Sequence, residues 1–340
     1  MPTNKAAWIT EAKANPLTVK DAPYTDPEAH EMVVKNAVLG MTPVDNKVQD
    51  MDLFKMTYPT ILGNEVAGEV VAVGSEVKSV NVGQRVLGNT SVLGTHDPKH
   101  GAFQLYTVLR SDLVAPIPDS MSYDAAAVLP VSLTTAAAAL FVKDYLAVPL
   151  PSLSPSPTRS TLLLWGGSSS VGCSTLQFAR AVGVEVITTA SPHNFELCKS
   201  LGASQVFDYH SPSIVDEIAS ALKGKDFVGA FDTIGITDTM KTCCEIVAKN
   251  GVMKMVVSTV PPLVEFDKKG VVIKPVFSQA ITKTDIVGPI WGEYVPKALA
   301  EGKLLPKPDP IVAGIGLEAI QQGLNRCKEG YSAAKIVVKL

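Results

Sequence analysis

The sequence predicts an α/β protein with two parts, a small partly open β-barrel and a doubly wound parallel sheet. From Glu65 to Val86, Val recurs between polar residues and Gly, a period-two pattern typical of strands and turns. From Thr161 onward, short apolar strands such as Thr161–Trp165 and Val184–Thr189 are separated by helices of about ten to fifteen residues. That alternation is typical of parallel βαβ units, so we expect the β-rich part to precede the parallel sheet.

The composition is that of an ordinary folded protein with room for about two domains. The chain has 340 residues, of which 46% are hydrophobic and 19% charged, and its net charge is −3. Because it has no block of like charge, we expect no face that neutralises nucleic acid or anionic lipid. Neither nucleic acid nor a membrane is therefore an expected partner.

The cysteines and the N-terminus predict a reducing compartment. The five cysteines are an odd number, include the adjacent pair Cys243 and Cys244, and have no Cys-x-x-Cys spacing. We therefore expect neither a disulfide framework nor a thiolate metal cluster. The first sixteen residues contain no apolar stretch of signal-peptide length, so the predicted location is cytoplasmic.

One apolar segment has the length of a membrane helix. Residues Ala125 to Val142 carry no charge over eighteen positions. Pro130 and several hydroxyl side chains interrupt the segment, and Ala dominates its second half. We therefore predict a buried helix, part of a helical region from Ser122 to Tyr145.

The later segments complete both parts. Strands are predicted at Phe227–Asp232 and Gly251–Val257, and Pro212 after Ser211 predicts the start of a helix. Apolar residues at helical spacing predict a helix from Leu317 to Lys328, and the strand AKIVVKL follows it.

A glycine turn lies between the first strand of the parallel sheet and the next helix. Strand TLLLW runs into GGSSSVG, in which Gly167 permits a tight turn and Gly172 lets the helix pack closely on the sheet. Ser169 stands where the common G-x-G-x-x-G pattern has its middle glycine. N–H groups at the start of a helix hold a pyrophosphate, so we predict a dinucleotide site. Its residues are Gly167, Ser168, Ser169, Ser170, Val171 and Gly172.

The end of the second strand favours NADPH over NADH. NAD sites usually place an acidic residue there to bind the ribose 2′-hydroxyl. Residues Thr188 to Phe195 contain no carboxylate, and Ser191, His193 and Lys199 tolerate a 2′-phosphate.

Three stretches together resemble the medium-chain dehydrogenase/reductase superfamily. They are GNEVAGEVVAVGSEVKSVNVGQRV (Gly63 to Val86), SLTTAAAAL (Ser132 to Leu140) and LLLWGGSSSVG (Leu162 to Gly172). The likeness continues to LEAIQQGL and AKIVVKL and covers almost the whole chain. It implies a GroES-like domain interrupted by a Rossmann domain, with domains over 1–125, 126–282 and 283–340, the last returning to the first.

The chain departs from this resemblance at the metal sites. Zinc alcohol dehydrogenases of the superfamily use Cys, His, and Cys or Asp as catalytic ligands. The matching positions carry Thr42, Asn64 and Val131, which cannot form a tetrahedral N/S zinc site. No Cys precedes Cys173, so the structural zinc lobe lacks its ligands as well. We expect no metal.

The zinc-less branch of the superfamily contains quinone oxidoreductases, 2-enoyl thioester reductases and the enoyl reductases that serve fungal polyketide synthases. The segments SPHNF (Ser191 to Phe195) and TPVDNK look most like the last group. The resemblance implies that Tyr209 contacts the 2′-phosphate and that Thr135 lies beside the nicotinamide.

Without zinc, a conjugated C=C bond is an easier target for hydride than a ketone, because charge spreads to the carbonyl oxygen as an enolate. Hydrogen-bond donors hold that oxygen, and the candidates flank the old metal positions: Thr42, Asn46, Lys47 and Asn64. No residue matches the tyrosine that donates a proton in mitochondrial-type enoyl reductases. Tyr58 is the nearest and is interpreted as structural, so water is the expected proton donor.

The leading hypothesis is an NADPH-dependent reductase of enones, quinones or enoyl thioesters. Three alternatives stay open: a trans-acting enoyl reductase that acts on a polyketide synthase carrier protein, a zinc-free carbonyl reductase, and a non-catalytic NADPH-binding protein. The sequence leaves the choice between monomer and homodimer open.

Overall fold

The computed structural model describes residues 2–251 and 255–340 and divides the chain into two compact units. Unit 1 comprises Met1–Val131 and Trp291–Leu340, and unit 2 comprises Ser132–Ile290. Unit 2 is therefore an insertion into the sequence of unit 1. The predicted domain boundaries each fall a few residues before those of the units.

The first segment of unit 1 consists mostly of strands. They are β1 (Asn4–Ile9), β2 (Thr18–Ala22), β3 (Glu31–Gly40), β4 (Thr60–Ile61), β5 (Glu65–Val73), β6 (Arg85–Asn89), β7 (Tyr106–Arg110) and β8 (Val114–Pro116). The helices are α1 (Pro43–Met51), α2 (Val92–Thr95) and α3 (Tyr123–Ala126), with 3₁₀ turns at Pro98–His100 and Ser111–Leu113.

Unit 2 alternates strands and helices after α4 (Pro130–Phe141), which begins at the end of unit 1. The strands are β9 (Ser160–Trp165), β10 (Glu185–Ala190), β11 (Gln205–Asp208), β12 (Asp226–Asp232), β13 (Met255–Ser258) and β14 (Val272–Pro275). The helices are α5 (Ser170–Val182), α6 (Phe195–Leu201), α7 (Ile214–Leu222) and α8 (Thr237–Asn250), with 3₁₀ segments at Pro192–Asn194 and Ser278–Lys283.

The sheet of unit 2 is parallel, in the order β11-β10-β9-β12-β13-β14. Counted from β9, this is the order 3-2-1-4-5-6 of the Rossmann fold. In sheets of this order, ligands generally bind outside the carboxyl ends of the strands. The predicted fold class is confirmed for this part.

The chain returns to unit 1 within a π-helical segment (Gly288–Tyr294). The returning elements are α9 (Val295–Ala300), β15 (Asp309–Ile315), α10 (Ile320–Lys328) and β16 (Ala334–Lys339), with a 3₁₀ turn at Leu317–Ala319 before α10. Strand β16 pairs antiparallel with β3 and parallel with β15.

Two sheets make up unit 1. One has three strands in the order β2-β1-β4, and the other runs β15-β16-β3-β5-β6-β8, with β7 also paired to β3. Alternate residues of β5, such as Val66 and Val70, are fully buried in the core of this unit. The GroES-like, partly open β-barrel predicted for unit 1 is confirmed.

Three predicted elements differ in detail. The helix from Ser122 to Tyr145 is interrupted between α3 and α4, because Pro130 has no N–H and disfavours a helical residue before it. Helix α7 begins at Ile214 with Ser213 at its N-cap, so the predicted start at Pro212 is wrong. Of the predicted strand Gly251–Val257, residues 252–254 lie outside the described residues, and β13 begins at Met255.

In the described part of the chain, one helical stretch, Tyr123–Phe141, is long and apolar enough to cross a membrane. Its mean hydropathy is 1.5, and 83% of its apolar window is buried inside the protein. A single, mostly buried helix of this kind is weak evidence for a membrane span. The cytoplasmic location stays a prediction.

Candidate functional site

The turn between β9 and α5, here called the phosphate turn (Gly166 to Gly172), leaves no space for side chains at its glycines. A Cβ on Gly167 would lie 2.4 Å from Thr188 Oγ1, and a Cβ on Gly172 would lie 2.2 Å from the carbonyl oxygen of Gly166. Gly166 has a φ of +87°, in the left-handed region that favours glycine. The tight turn therefore occurs at Gly166, not at Gly167 as predicted, and Gly167 is needed for the close contact with β10.

The N-terminus of α5 is capped from within. Ser169 Oγ accepts a hydrogen bond of 2.9 Å from the Gly172 N–H and lies 2.9 Å from Thr233 Oγ1. Thr233 Oγ1 also donates to the carbonyl oxygen of Trp165 at 2.8 Å. The side chain of Ser169 is thus used for capping. The N-terminus of a helix, with its N–H groups and positive dipole end, suits an anion.

The ends of the next two strands bring two hydroxyl groups together. Ser191 follows β10 and Tyr209 follows β11, where Ala190 pairs with Asp208. Ser191 Oγ and Tyr209 Oη are 3.1 Å apart, and Tyr209 is 42% exposed. This edge therefore presents neutral donors where NAD-preferring sites place an acidic residue.

The other predicted cofactor residues occupy different surroundings. Asn194 Nδ2 donates to Ser168 Oγ at 3.5 Å, which joins the phosphate turn to the 3₁₀ turn that carries the exposed His193. Lys199 pairs with Glu196 of its own helix, Nζ to Oε1, at 2.9 Å. Thr135 lies on α4 and is 7% exposed.

Together these features of unit 2 fit a phosphorylated dinucleotide. The phosphate turn lets a pyrophosphate approach the backbone, because its glycines have no Cβ. Ser191 and Tyr209 supply uncharged donors at the neighbouring strand ends, where the adenosine ribose is held in sheets of this order.

In unit 1, three buried side chains form the Asp45 cluster, defined as Thr42, Asp45 and Asn64. Thr42 is the N-cap of α1, and Asp45 Oδ2 accepts hydrogen bonds from the Thr42 N–H at 2.9 Å and from the Thr42 O–H at 2.5 Å. Asp45 Oδ1 accepts from Asn64 Nδ2 at 2.7 Å. Two of the predicted donors are thus joined by a carboxylate that was not predicted.

Burial decides the chemistry of this carboxylate. The pKa of Asp45 is raised to about 6, mainly because burial removes water from the carboxylate. The negative charge of Glu65 also raises this pKa, whereas the hydrogen bonds from Thr42 and Asn64 lower it. An ionised carboxylate only accepts hydrogen bonds, so the hydroxyl proton of Thr42 is committed to Asp45. The amide of Asn64 has a second N–H besides the one that it donates to Asp45.

The two other predicted donors lie on the same helix. Asn46 is 7% exposed, and its Oδ1 is buried without a hydrogen-bond partner in the described part of the chain. Lys47 is half-buried, and desolvation lowers the pKa of its ammonium group. Among residues 2–251 and 255–340, no carboxylate pairs with it.

A buried ion pair adjoins the cluster. Glu65 is fully buried and pairs with Lys335 of β16, which is 4% exposed. Glu65 Oε2 also accepts a hydrogen bond of 3.0 Å from the Val131 N–H. The carboxylate of Glu65 is therefore neutralised by a residue from the end of the sequence.

The residues present in unit 1 do not fit a catalytic zinc ion. Zinc requires Cys, His or carboxylate ligands, whereas the positions that the resemblance assigns to ligands carry Thr42, Asn64 and Val131. The nearby carboxylates, Asp45 and Glu65, are already engaged. Across the residues that the structure describes, no three His, Cys, Asp or Glu side chains are grouped to hold a metal.

Tyr58 is hydrogen-bonded to a carboxylate of unit 1. Its hydroxyl donates to Asp52 Oδ1 at 2.6 Å, and burial together with this carboxylate raises its pKa. A tyrosine engaged in this way is a poor proton donor.

Asp45 and Thr233 were missed from the sequence. Asp45 stands three residues after Thr42, the spacing of a capping box, and that signal predicts the contact but not the burial. Thr233 directly follows β12, at the same edge of the sheet as the phosphate turn. The position after a strand end was the available signal.

Two family models match the chain. Residues 28–119 match the alcohol dehydrogenase GroES-like domain, and residues 170–301 match the zinc-binding dehydrogenase domain. The description of the second family names zinc binding, whereas the residues of this chain do not fit a zinc ion.

Relatives cover the whole chain. A trans-enoyl reductase, himH of Aspergillus japonicus, is 43% identical and matches 99% of this chain and 97% of its own. The dehydrogenase azaJ of Aspergillus niger is 41% identical, with both chains fully covered. An alcohol dehydrogenase superfamily protein of Novosphingobium aromaticivorans has the same fold, with a TM-score of 0.79 at 24% identity over 99% of this chain and all of its own. Matched over its length by such relatives, and built from a GroES-like and a Rossmann unit, this chain belongs to the medium-chain dehydrogenase/reductase superfamily of oxidoreductase enzymes.

Proposed function

We propose that the protein reduces activated C=C bonds with NADPH and without zinc. The observation that carries the proposal is the Asp45 cluster, which places hydrogen-bonding side chains at the positions where the resemblance expects metal ligands. The 43% identity to a trans-enoyl reductase supports the same reaction class.

The chemistry of the cluster suits an enolate better than an alkoxide. Zinc stabilises the alkoxide of a ketone reduction as a Lewis acid, and Thr42, Asn64 and Val131 offer no such group. Addition at the β-carbon of a conjugated carbonyl spreads negative charge to its oxygen. One well-placed N–H donor is worth about 3 kcal/mol at such an oxygen.

The candidate donors have different parts in this proposal. Asn64 presents its second N–H, and its orientation is fixed by the bond to Asp45. Lys47 adds positive charge from a half-buried position, and Asn46 adds its amide. Thr42 orients the cluster, since its hydroxyl proton is directed to Asp45.

The proton for the α-carbon comes from water in this proposal. Tyr58 is bonded to Asp52 and has a raised pKa. In this proposal the ammonium of Lys47, whose pKa is lowered by desolvation, stabilises the enolate until water delivers the proton.

The cofactor is held by unit 2. The phosphate turn, with the backbone of Ser168, Ser169, Ser170 and Val171, would hold the pyrophosphate, and Ser191 and Tyr209 would hold the 2′-phosphate with His193 and Lys199 nearby. A bound reduced nicotinamide supplies the hydride. Thr135 is placed beside the nicotinamide by resemblance.

The substrate is a small conjugated carbonyl compound, free or bound to a carrier protein. The relative himH is named as a trans-enoyl reductase, which supports the carrier-bound form. We propose that a polyketide synthase carrier protein presents the enoyl thioester.

The test uses EDTA-treated protein and follows NADPH oxidation with a quinone, a simple enone, a crotonyl thioester and an aromatic ketone. Turnover of a C=C substrate that is unchanged by EDTA is the expected result, and a faster reaction with carrier-bound crotonyl supports the trans-acting form. Turnover of the ketone alone indicates a carbonyl reductase, and NADPH binding without any turnover indicates a non-catalytic protein. Activity abolished by EDTA contradicts the zinc-free proposal.

A further inference from the structure

His210 is a basic residue at the cofactor edge of unit 2 that the proposed site does not use. It follows Tyr209 directly, and its ring lies against the tyrosine ring, with centroids 4.1 Å apart and planes inclined by 34°. Its side chain is 63% exposed. The hydroxyl of the same tyrosine lies 3.1 Å from Ser191 Oγ.

Asp208 fixes the orientation of the imidazole. Asp208 Oδ1 accepts a hydrogen bond of 3.0 Å from the His210 N–H and lies 2.8 Å from His210 Nδ1. These contacts lower the pKa of Asp208, so its carboxylate is ionised and favours a proton on Nδ1. With Nδ1 engaged, Nε2 is the free end of the ring, and no group in the described part of the chain bonds to it.

The charges around this edge are few. Asp208 ends β11, and Glu217 of α7 is engaged by the hydroxyls of Ser211 at 2.5 Å and Ser213 at 2.6 Å. Lys199 is paired with Glu196 on its own helix. Ser191 and Tyr209 carry no charge, whereas a 2′-phosphate brings about two negative charges at neutral pH.

We infer that His210 supplies the positive charge that selects a 2′-phosphorylated cofactor, and that its stack holds Tyr209 in place for the same phosphate. Phosphate oxygens bind most strongly to charged N–H donors, and Nε2 of an imidazolium is such a donor. This inference rests on the proposed use of NADPH. It adds a cofactor-selecting residue that the sequence pattern did not indicate.

The test measures the Kd of NADPH and of NADH by fluorescence titration at one fixed pH. For the wild-type protein we expect NADPH to bind more tightly than NADH. His210→Gln raises the Kd of NADPH about fivefold and leaves the Kd of NADH unchanged. His210→Lys keeps a cationic N–H donor at this position, so it keeps the tight binding of NADPH.

His30→Gln is the matched comparison, because His30 is an exposed histidine of unit 1 and its replacement is expected to leave the Kd of NADPH unchanged. An unchanged Kd of NADPH in His210→Gln overturns the inference. So does an equal rise of that Kd in His30→Gln and His210→Gln. If the wild-type protein binds NADPH and NADH equally well, the proposed cofactor is wrong, whereas a preference for NADPH that survives both His210 variants contradicts only the role of His210.

Discussion

The phosphate turn of unit 2 and the Asp45 cluster of unit 1 are held by different kinds of interaction. At the phosphate turn the backbone makes the site, and Gly172 is required because a Cβ would lie 2.2 Å from a carbonyl oxygen. In the Asp45 cluster the side chains make the site through hydrogen bonds to one carboxylate.

This difference determines how many amino-acid substitutions each region tolerates. A backbone site admits few residues, so its pattern survives in the sequence of a chain with a new substrate. In a site made of side chains, one or two substitutions change the chemistry, while the backbone of α1 and β5 stays the same. Membership in the superfamily therefore predicts the cofactor site more firmly than the reaction.

The largest effect is expected at the buried ion pair beside the cluster. Lys335→Met leaves the carboxylate of Glu65 buried without its partner, and we expect a loss of about 3–5 kcal/mol in the free energy of unfolding, measured by urea denaturation. Lys328→Met is the control, since the pair Lys328–Asp50 lies on the surface and should contribute less than about 1 kcal/mol. Equal losses in both variants would contradict the view that unit 1 depends on its buried charges.

The next effect concerns catalysis. Asn64→Leu removes the second N–H, which the proposed function assigns to the enolate oxygen, and we expect kcat to fall by about 10²–10³-fold. The Kd of NADPH should not change, because the phosphate turn lies in unit 2. A variant with normal kcat would mean that the cluster only fills space.

The third effect depends on pH. The raised pKa of Asp45 means that its protonated form is stabilised in the fold, so its contribution to stability is present below about pH 4 and is lost as the pH rises through about 6. Relative to Asp45→Asn, the wild-type protein should lose about 3 kcal/mol between pH 4 and pH 7. Urea denaturation of both proteins across this range gives the difference, and a difference that does not vary with pH would reject the assignment.

A smaller effect is expected at the phosphate turn. Gly172→Ala should destabilise the protein by about 1–3 kcal/mol, because the added Cβ must displace the backbone at Gly166. It should also weaken NADPH binding. Gly288→Ala is the control, since a Cβ there has no atom within 4 Å. If the unfolding temperature of Gly172→Ala equals that of the wild-type protein, the backbone of the phosphate turn is less constrained than the side chains of the Asp45 cluster.

The smallest effect is expected at the cap of α1. Thr42→Ala removes the side-chain cap and the bond to Asp45 and should cost about 1 kcal/mol in stability, whereas Thr42→Ser keeps both. Thermal unfolding of the pair measures this. If Thr42→Ser loses as much stability as Thr42→Ala, the methyl group of Thr42 and not its hydroxyl stabilises the helix.

Much of the fold follows from local patterns. The strand predicted at Thr161–Trp165 differs from β9 by one residue. An apolar run bounded by a polar residue and a glycine defines both ends of a buried strand closely. The interruption between α3 and α4 was missed because alanine-rich sequence favours a helix on both sides, and one proline is enough to break it.

The contacts of the candidate site also differ in how well the sequence predicts them. Ser191 and Tyr209 follow strand ends, so the order of the strands brings them together. The contact between Glu65 and Lys335 joins residues far apart in the sequence and has no local signal. The pKa of Asp45 depends on its complete burial, which is a property of the packed unit and not of its neighbours in sequence.

The insertion of unit 2 also sets an order of synthesis. A ribosome completes the whole parallel sheet before it reaches β16, so unit 2 has all of its strands while unit 1 still lacks the strand between β3 and β15. During that interval Glu65 has no lysine partner, and the edge of β3 is open to pairing with other chains. A nascent chain stopped before Ala334 would therefore carry a complete parallel sheet in unit 2 and an unfinished, aggregation-prone unit 1.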